Sequence, residues 1–555
     1  MAGMAEEAPV EGQVIRVKPS EADVRELPLL KGLPERKQES KMKTIRAGSE
    51  LLDQYPPLPD ERPCQDIFWV FFFAATAIAL IVYSAFNIEF LEKEDTPAVN
   101  AEISTDVTAT DEAFNIYPTR LLFSALAAFI GALVTANAYL WLAHRNTECV
   151  VWAALVFSPL LLIGLGVSSF ALMGVQNFIT GAVLILAGVL NLTLVFCCWK
   201  KYIPFTVKMT EVVSDVISRN NCLLMVPLIG AVLSSVWSVL CVVAMIGYAV
   251  KHKVFDNLKE APANGNGNGD ADVDPLPCAM LFVYTLVFIW GSGVAYNICH
   301  MTTCGVFGRW YYKGLVGDSD SDASSADEMV SQRVRSPIAP SLKVALTTSL
   351  GSNCCGSFLV AAVRAMEALA RDSADNAADS GAIVTCICAC VLYCVLACIG
   401  DMLEYFNEWA YVQCAVRGTS FFQSAKITYA LCTCANMKYV ISDLMLDTVV
   451  TAGGLLCGLI AALAAGVTEY ALSGNVYKFV LGLLIGLLIG LPIGCSALST
   501  LGSGAKTILA CWADDPEPLR VTHPEIAEEF EQRIRTGIAK GPAKRKGGLL
   551  GRLRG

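Results

Sequence analysis

Residues 479–500 read FVLGLLIGLLIGLPIGCSALST, and this stretch decides the fold class. It contains no Asp, Glu, Lys or Arg, and it is long enough for a helix to cross the roughly 30 Å hydrocarbon core of a bilayer. Its apolar residues are continuous rather than alternating, which argues against a barrel strand. We therefore predict a membrane-spanning helix at residues 477–501.

Nine further apolar blocks of similar length precede this one. Of the 555 residues, 54% are hydrophobic and only 17% are charged, which is more apolar surface than a soluble domain can bury. The sequence therefore predicts an all-α polytopic membrane protein of about ten transmembrane helices. The other predicted spans are 67–86, 119–143, 150–172, 178–199, 223–249, 277–300, 342–363, 382–403 and 445–467.

The positions of the 41 Lys and Arg residues predict the orientation. Most of them fall on the cytosolic side if the N-terminus is cytosolic, as the positive-inside rule requires. The first connection on the opposite side, residues 88–117, is rich in Asp and Glu and holds a single lysine, Lys93. We therefore predict that both termini are cytosolic.

The chain is predicted to divide into three parts. Residues 1–66 form a largely disordered cytosolic tail, residues 67–502 a membrane domain, and residues 503–555 a cytosolic tail. The last part ends in the basic run KRKGGLLGRLRG at residues 544–555. Such a run at the end of a membrane protein favours contact with solvent or membrane lipid over nucleic acid.

The sequence offers no convincing catalytic or metal-binding motif. Its four histidines are dispersed, with no HExxH pair, no glycine-rich phosphate loop with its lysine, and no GxSxG motif. The 22 cysteines lack paired zinc-site spacing and are predicted to pack as small apolar residues. We predict that the protein is not an enzyme and holds no cofactor or metal.

Aromatic and polar residues within the spans suggest a site for a cationic substrate. Trp290 and Asn297 are seven residues apart and share one helical face, with Tyr296 beside them, and Trp237 lies well inside the fifth span. Aromatic faces attract ammonium groups by about 0.5–2 kcal/mol each. These four residues are the predicted substrate-binding residues.

An acidic face is predicted at the inner end of the eighth span. Carboxylates at this depth are costly unless they face water, a partner or a substrate path. One interpretation pairs them with Lys426, Lys438 or Arg417, so that they orient the inner loop. The other gives them a role in gating or ion coupling, and its candidate residues are Asp401, Glu404, Tyr405, Asn407 and Glu408.

Four glycines recur at every fourth position of the last span. Small residues on one face allow helix backbones to approach closely in lipid, so helix packing is the preferred interpretation. A flexible gating helix, favoured by Pro492, is the alternative. The four residues are Gly482, Gly486, Gly490 and Gly494.

Four ordered motifs resemble a known family. They are WGSGVAYNICHMTTCGVFGRWYY at 290–312, LKVALTTSLGSNCCGSFLVAAV at 342–363, FNEWAYVQCAVRG at 406–418 and SAKITYAL at 424–431. In order and spacing they are similar to the choline transporter-like proteins, of the solute carrier 44 type. The first outer loop lacks a glycosylation acceptor and paired cysteines, which makes the chain resemble the fungal and protist Pns1-type branch.

The resemblance implies a ten-helix transporter of the plasma membrane, or of an organelle membrane, that moves choline or a related cation such as ethanolamine or a thiamine-type amine. We expect alternating access, with the segment 401–435 closing the cytosolic side. Two alternatives stay open: a channel or lipid-handling protein without solute transport, and a membrane enzyme of phospholipid synthesis. The oligomeric state stays open as well.

Overall fold

The protein is described from a computed structural model, which covers residues 35–94, 118–171, 175–251, 275–313, 337–379, 383–434 and 438–539. The regular elements in these ranges are helices, which we number α1 to α16 along the chain. Ten have the length and apolar composition to cross a membrane: α2 (Ile67–Glu94), α3 (Pro118–Arg145), α4 (Thr147–Ala171), α5 (Val175–Leu194), α7 (Met225–Lys251), α8 (Pro275–Lys313), α10 (Leu350–Asp379), α11 (Ile383–Arg417), α13 (Lys438–Ser473) and α14 (Val476–Asp514). The other six are α1 (Glu35–Gln54), α6 (Ile203–Arg219), α9 (Ile338–Leu346), α12 (Phe421–Cys434), α15 (Glu517–Thr522) and α16 (Pro524–Ala539).

The ten spanning helices confirm the predicted fold class, an all-α polytopic membrane protein. Ten crossings among the described residues would bring both ends of the described chain to one side of the membrane, and we call this side of the helix bundle the terminal face. The six other helices precede α2, follow α14 or join two spans on this face. The assignment of the terminal face to the cytosol stays a prediction from the Lys and Arg distribution.

Three spans continue well past the ends that hydropathy predicts for them. Helices α8, α11 and α14 have 39, 35 and 39 residues, and they pass the predicted ends at 300, 403 and 501. Their extensions pack together and are largely buried. The extensions mix polar with apolar side chains, so hydropathy falls while the helix goes on, because neighbouring protein satisfies the polar groups.

The seventh span differs from its prediction at residues 342–363. Residues 342–346 belong to the short α9, a turn follows at 347–349, and the span itself is α10. A Cβ atom at Gly351 would lie 2.3 Å from the Gln65 carbonyl oxygen, so glycine lets the segment before α2 run against the start of α10. One apolar block thus holds the end of one helix and the start of the next, which a hydropathy window does not separate.

Residues 55–66 run across the terminal face as an irregular segment, which we call the strap. The Arg62 guanidinium donates to the carbonyl oxygens of Ala415 (2.6 Å) and Val416 (3.1 Å) at the end of α11. The Asp66 carboxylate accepts from the Ser352 hydroxyl (2.7 Å) and from the Phe421 backbone N–H (2.8 Å). The strap therefore ties α10, α11 and α12 together beneath the membrane-spanning region.

The buried Arg417 reinforces this closure of the terminal face. Its guanidinium forms an ion pair with Asp514 at the end of α14 and donates to the Tyr55 carbonyl oxygen at the start of the strap. It also donates from Nε to the side chain of Gln413 (3.0 Å). One side chain thus joins the ends of two long helices to the chain that precedes the first span.

Helices α13 and α14 form a closely packed hairpin, and the glycines of the last span lie at its interface. A Cβ atom at Gly486 would lie 2.5 Å from the Ala461 carbonyl oxygen. One at Gly494 would lie 2.4 Å from the Cβ of Cys457. Gly482 and Gly490 likewise face α13, at Ala465 and Ala461. Side chains at these positions would push the two backbones apart.

Several sequence predictions lie outside the described residues. They concern residues 1–34 of the N-terminal tail, the acidic connection at 95–117 and the basic run at 544–555. Within the described ranges, residues 35–54 form α1 and the last span continues to Asp514. The predicted division at residues 66 and 502 remains a proposal.

Candidate functional site

A cavity of about 400 Å³ lies between α7, α8, α10 and α11, within the membrane-spanning helices. Apolar and small residues form much of its wall, with a few convergent polar groups, as is typical of small-molecule sites. Its lining residues are Ser234 on α7; Phe288, Ile289, Ser292, Gly293, Tyr296 and Asn297 on α8; Ser357, Val360 and Arg364 on α10; and Glu404, Asn407, Glu408 and Tyr411 on α11.

Helical spacing brings these side chains to one place. On α10 the lining positions 357, 360 and 364 are separated by three and four residues, so they lie on one face. The positions 404, 407, 408 and 411 of α11 follow the same rule. On α8 the small residues Ser292 and Gly293 leave the space that the cavity occupies.

Towards the terminal face the cavity is closed. The Tyr411 side chain is buried at its bottom, and its hydroxyl donates to the Asn353 carbonyl oxygen (3.3 Å). A Cβ atom at Gly356 would lie 2.3 Å from the Tyr411 hydroxyl and 2.4 Å from the Phe421 ring, so these groups are in close contact. Below them lie the strap and the extension of α11.

Away from the terminal face the cavity ends at a cluster of charged side chains, which we call the rim cluster. Arg364 pairs with Glu367 (2.9 Å), Asp401 (2.6 Å) and Glu404 (2.8 Å). The Asp401 and Glu404 side chains are 73% and 54% exposed. Ionised groups within a span are costly in lipid, so we infer that water reaches the rim cluster and that the cavity opens on this side.

Glu408 supplies a carboxylate in the cavity wall. It accepts a hydrogen bond from the Tyr296 hydroxyl (3.4 Å), and Lys506 Nζ lies 2.9 Å from its other oxygen. Its side chain is 18% exposed. Glu408 therefore lies between the cavity and a lysine of α14.

Lys506 forms a cluster with three carboxylates, of which Asp443 is fully buried and Asp447 is 38% exposed, and we call it the lysine cluster. Its Nζ atom lies 3.0 Å from Asp447 and 3.9 Å from Asp443, besides its pair with Glu408. The Tyr405 hydroxyl donates to Asp443 (2.9 Å). The Lys506 side chain is 5% exposed and that of Asp443 is fully buried, so these charges depend on one another for compensation.

The buried His300 connects three helices at the same level. One ring nitrogen, Nδ1, lies 2.8 Å from the Ser503 hydroxyl on α14, and Nε2 lies 2.9 Å from the Glu408 carbonyl oxygen on α11. His300 itself belongs to α8. Its contacts hold the backbone of Glu408 in place between the cavity and the lysine cluster.

Two polar atoms of lining residues lack a hydrogen-bond partner among the described residues. They are Asn407 Oδ1 and Ser292 Oγ. The amide nitrogen of Asn407 donates to the Gly356 carbonyl oxygen (3.1 Å), which fixes the position of its amide group. An unpaired buried polar atom costs about 1–3 kcal/mol, so these atoms are suited to a ligand or water in the cavity.

The structure brings together five of the residues that the sequence singles out. Tyr296, Asn297, Glu404, Asn407 and Glu408 all line the cavity. The Asn297 amide donates to the Ser357 hydroxyl (2.9 Å) across the gap between α8 and α10. Substrate candidates on α8 and gating candidates on α11 therefore face the same space.

The two tryptophans lie behind the cavity wall rather than in it. Trp290 is 1% exposed, and its indole N–H donates to the Cys354 carbonyl oxygen (2.9 Å). Trp237 donates to the Val287 carbonyl oxygen (3.1 Å) and stacks on Phe73, whose ring also contacts Trp290. They fix the position of α8 against its neighbours.

The acidic face of α11 is not at a helix end, which corrects the expectation from hydropathy. Residues 401–408 lie near the middle of α11, because that helix continues to Arg417. Their basic partners also differ from the predicted Lys426, Lys438 or Arg417: Asp401 and Glu404 pair with Arg364, and Glu408 pairs with Lys506.

Sequence reasoning missed several cavity and cluster residues. Lys506 lies beyond the predicted end of the last span, in the part of the chain that the sequence predicts as cytosolic tail. The signal that could have found it is a single lysine within the otherwise apolar run around residues 505–513. Arg364 similarly follows the predicted end of the seventh span. The others are Ser357, Tyr411, Asp443 and Asp447.

A larger depression of about 640 Å³ lies elsewhere, at the turn between α3 and α4. It is lined by residues 144–149 together with Trp152, Val207 and Glu211. These residues lie on the terminal face, where many of them are exposed, and they do not reach between the spans. The depression therefore offers no path through the membrane, and the smaller cavity is the better candidate.

Comparison with known proteins agrees with the architecture. The family model described as plasma-membrane choline transporter matches residues 181–517. The chain belongs to the choline transporter-like family. Proteins named PNS1 are among its relatives: that of Debaryomyces hansenii is 24% identical over 83% of this chain and 86% of its own length. Those of Neurospora crassa and Candida albicans are each 26% identical, over 75% and 67% of this chain and 71% and 69% of their own lengths.

Membership of the choline transporter-like family confirms the resemblance read from the four motifs, including its Pns1-type branch. The matched region contains α7 to α14, and so it includes every residue of the cavity, the rim cluster and the lysine cluster. The chain is thus a multi-pass membrane protein of a transporter-like family.

Proposed function

We propose that the protein carries choline or a related small organic cation, such as ethanolamine or a thiamine-type amine, across the plasma membrane by alternating access. The observation that carries this proposal is the cavity between α7, α8, α10 and α11, with a carboxylate, tyrosine rings and an open acidic rim. Family membership supports the same substrate class.

The chemistry of the wall suits a quaternary ammonium group. Such a group has no N–H to donate, so it binds through charge and through aromatic faces. Glu408 provides the charge, and the rings of Tyr296, Tyr411 and Phe288 lie in the wall around it. Asn297 and the free Oδ1 atom of Asn407 offer polar contacts to a hydroxyl group at the other end of the ligand.

In this proposal Trp290 and Trp237 support the cavity wall and do not contact the substrate. Their indole N–H groups are used by backbone carbonyls, and their rings pack with Phe72, Phe73 and Phe358. Replacing either would shift α8, and with it Tyr296 and Asn297. We assign direct contact with the substrate to Tyr296 and Asn297, and support of the wall to the two tryptophans.

In this proposal the arrangement represents one state of an alternating-access cycle. The cavity is closed at Tyr411 and the strap, whereas its other end reaches the exposed rim cluster. In the opposite state Asp401 and Glu404 would close that end, while Asn407 and Glu408 stay with the substrate. With the terminal face in the cytosol, an inside-negative potential favours inward movement of a monovalent cation by about 2.3 kcal/mol per 100 mV, so coupling to a second ion is not required.

The test is reconstitution of the purified protein into liposomes with radiolabelled choline, ethanolamine and thiamine under an imposed potential. We expect saturable uptake of at least one of them, increased by an inside-negative potential. The matched controls are empty liposomes and Leu488→Ala, a change at a side chain of α14 that is 75% exposed and distant from the cavity wall.

Each alternative predicts a different result. Uptake that does not saturate with concentration would indicate a channel. Redistribution of labelled lipid without solute uptake would indicate a lipid-handling protein. Consumption of a labelled head-group precursor would indicate an enzyme of phospholipid synthesis. Any of these three outcomes, in place of saturable uptake, would contradict the proposal.

A further inference from the structure

Lys506 is the one group of the lysine cluster that contacts several alternative partners. Its Nζ atom lies 2.9 Å from Glu408, 3.0 Å and 3.3 Å from the two oxygens of Asp447, and 3.9 Å from Asp443. It also lies 5.9 Å from the centre of the Tyr405 ring. A small movement of this flexible side chain therefore exchanges one carboxylate for another without leaving the cluster.

The two sides of Glu408 face different surroundings. The cavity and Tyr296 lie on one side, and Lys506 lies on the other. A cationic substrate in the cavity would approach Glu408 while Lys506 already holds it, and the two positive charges would repel each other. Either the contact of Glu408 with Lys506 or its contact with the substrate must then lengthen, and the weaker of the two does so.

Other carboxylates can accept Lys506 when its contact with Glu408 lengthens. Asp443 is fully buried, and its Oδ1 atom has no hydrogen-bond partner among the described residues. Its Oδ2 atom already accepts from Tyr405 and lies at a longer distance from Lys506 than the other carboxylates do. The backbone of Gly502 packs beside this pair, because a Cβ atom there would lie 3.9 Å from Lys506 Nζ and 3.4 Å from Asp447.

We propose that Lys506 is a tethered cation that neutralises Glu408 while the cavity is empty and shifts towards Asp443 and Asp447 when a substrate ammonium group takes Glu408. This inference rests on the proposed function and deepens it, because it assigns a residue to the step in which the empty carrier returns. It also connects the substrate to the α13–α14 hairpin, which carries Asp443, Asp447 and Lys506.

The consequence is a difference between exchange and net transport. In exchange, the carrier holds a substrate molecule in the cavity during both of its movements across the membrane, and the substrate compensates the negative charge of Glu408 each time. In net uptake the carrier must return empty, with Glu408 compensated by Lys506 alone. Removing the lysine leaves Glu408, whose side chain is only 18% exposed, without a positive partner during that return, and a poorly solvated charge without a counter-charge is unfavourable.

The experiment compares exchange with net uptake of labelled choline, or of whichever amine the wild-type protein carries, in liposomes at alkaline pH, where carboxylates stay ionised. For Lys506→Met we expect net uptake to fall by about tenfold or more while exchange stays within about threefold of wild type. We also expect tighter substrate binding, because the internal competitor is gone. Lys506→Arg should keep both activities, and Lys208→Met, which removes a lysine paired with Glu529 on the terminal face, should change neither.

A charge-matched variant tests whether transport requires the Lys506 cation itself or only the net charge of the lysine cluster. Asp447→Asn combined with Lys506→Met restores the formal charge of the wild-type cluster, and the double variant also answers the question if the single one fails to fold. The proposal predicts that net uptake stays low in the double variant. A return to the wild-type ratio of net uptake to exchange would overturn it, as would an equal loss of both activities in Lys506→Met. Absence of any saturable transport by the wild-type protein would instead contradict the proposed function.

Discussion

The rim cluster and the lysine cluster use nearly the same groups in different surroundings. Each has one basic side chain facing three carboxylates: Arg364 in the first and Lys506 in the second. In the rim cluster Asp401 and Glu404 are 73% and 54% exposed and Glu367 is 17% exposed. In the lysine cluster Asp447 is 38% exposed, Glu408 is 18% exposed and Asp443 is fully buried. Water therefore screens Asp401 and Glu404 more than it screens Glu408 and Asp443, so removing one of these charges should have different consequences in the two clusters.

The helices that carry the two clusters also differ in how closely their backbones pack. The rim cluster lies on the α10–α11 hairpin, where Gly400 allows the Arg364 guanidinium to approach the backbone. Three groups of the lysine cluster lie on the α13–α14 hairpin, where backbones meet at the glycine positions. The comparison suggests that α13–α14 is a rigid support and that the outer part of α10–α11 is the element that moves in transport.

The largest effect should follow from separating the backbones of the rigid hairpin. In Gly486→Leu the new side chain would begin 2.5 Å from the Ala461 carbonyl oxygen, so the helices must move apart. We expect a loss of about 3 kcal/mol or more in the free energy of unfolding, and a lower melting temperature in detergent. Gly164→Leu on α4 is the matched control, because a Cβ atom there meets nothing within 4 Å. Equal melting temperatures for the two variants would show that the hairpin is not closely packed.

The next effect concerns the carboxylate that belongs to both the cavity and the lysine cluster. In Glu408→Gln the cavity loses its charge, while Lys506 keeps Asp443 and Asp447, so the protein should fold. We expect substrate affinity to fall by about tenfold to a hundredfold, because contacts with a charged group are worth about 1.5–3 kcal/mol. The dissociation constant of labelled choline, measured on the purified wild-type protein and variant, gives this change in affinity.

Glu404→Gln is the control for this change, since it removes a carboxylate that is 54% exposed on the same helix. Its effect on affinity should be threefold at most, because exposed ion pairs contribute about 1 kcal/mol or less. Similar losses in both variants would remove the distinction between the two clusters. An unchanged affinity in Glu408→Gln would exclude Glu408 from the binding site.

The sequence alone predicts the spans, because hydrophobicity and helix length are local properties. Ten spans follow from it, and nine begin close to their predicted starts, although α8, α11 and α14 continue past their predicted ends. The exception is the seventh span, where the strap packs against a helix break that small residues make possible. That break depends on Asp66 and Gln65, which are distant in sequence, and so it has no local signal.

The candidate site could be predicted only in part, for a similar reason. Tyr296 and Glu408 share the cavity as their helical spacing suggests. Their partners could not be inferred, since Lys506 reaches Glu408 from a helix about a hundred residues later in the chain. The aromatic faces of the two tryptophans predict contact with a cation, but in the folded protein their indole N–H groups donate to backbone carbonyl oxygens behind the cavity wall.

A smaller effect distinguishes the ring of Tyr296 from its hydroxyl group. Tyr296→Phe removes the hydrogen bond to Glu408, which at 3.4 Å is long, and keeps the ring in the cavity wall. We expect affinity to fall by about threefold or less. Tyr296→Ala removes the ring as well and should cost about tenfold, if the ring contacts an ammonium group. Binding measurements on both variants give the two contributions. Equal effects would mean that the hydroxyl group acts alone.

The smallest effect should come from a change in the rim cluster, and this change should strengthen the interaction with the substrate rather than weaken it. Arg364→Gln leaves Asp401, Glu404 and Glu367 without their basic partner, so the entrance to the cavity becomes more negative. A cationic substrate is then attracted more strongly, and we expect KM for uptake to fall by about twofold at low ionic strength. Because Asp401 and Glu404 are exposed, added salt should abolish the difference, whereas the effect of Glu408→Gln should persist. Arg371→Gln, an equal change of charge further along α10, is the control. A rise in KM, or a fall that salt does not reverse, would mean that the rim acts by binding rather than by attraction.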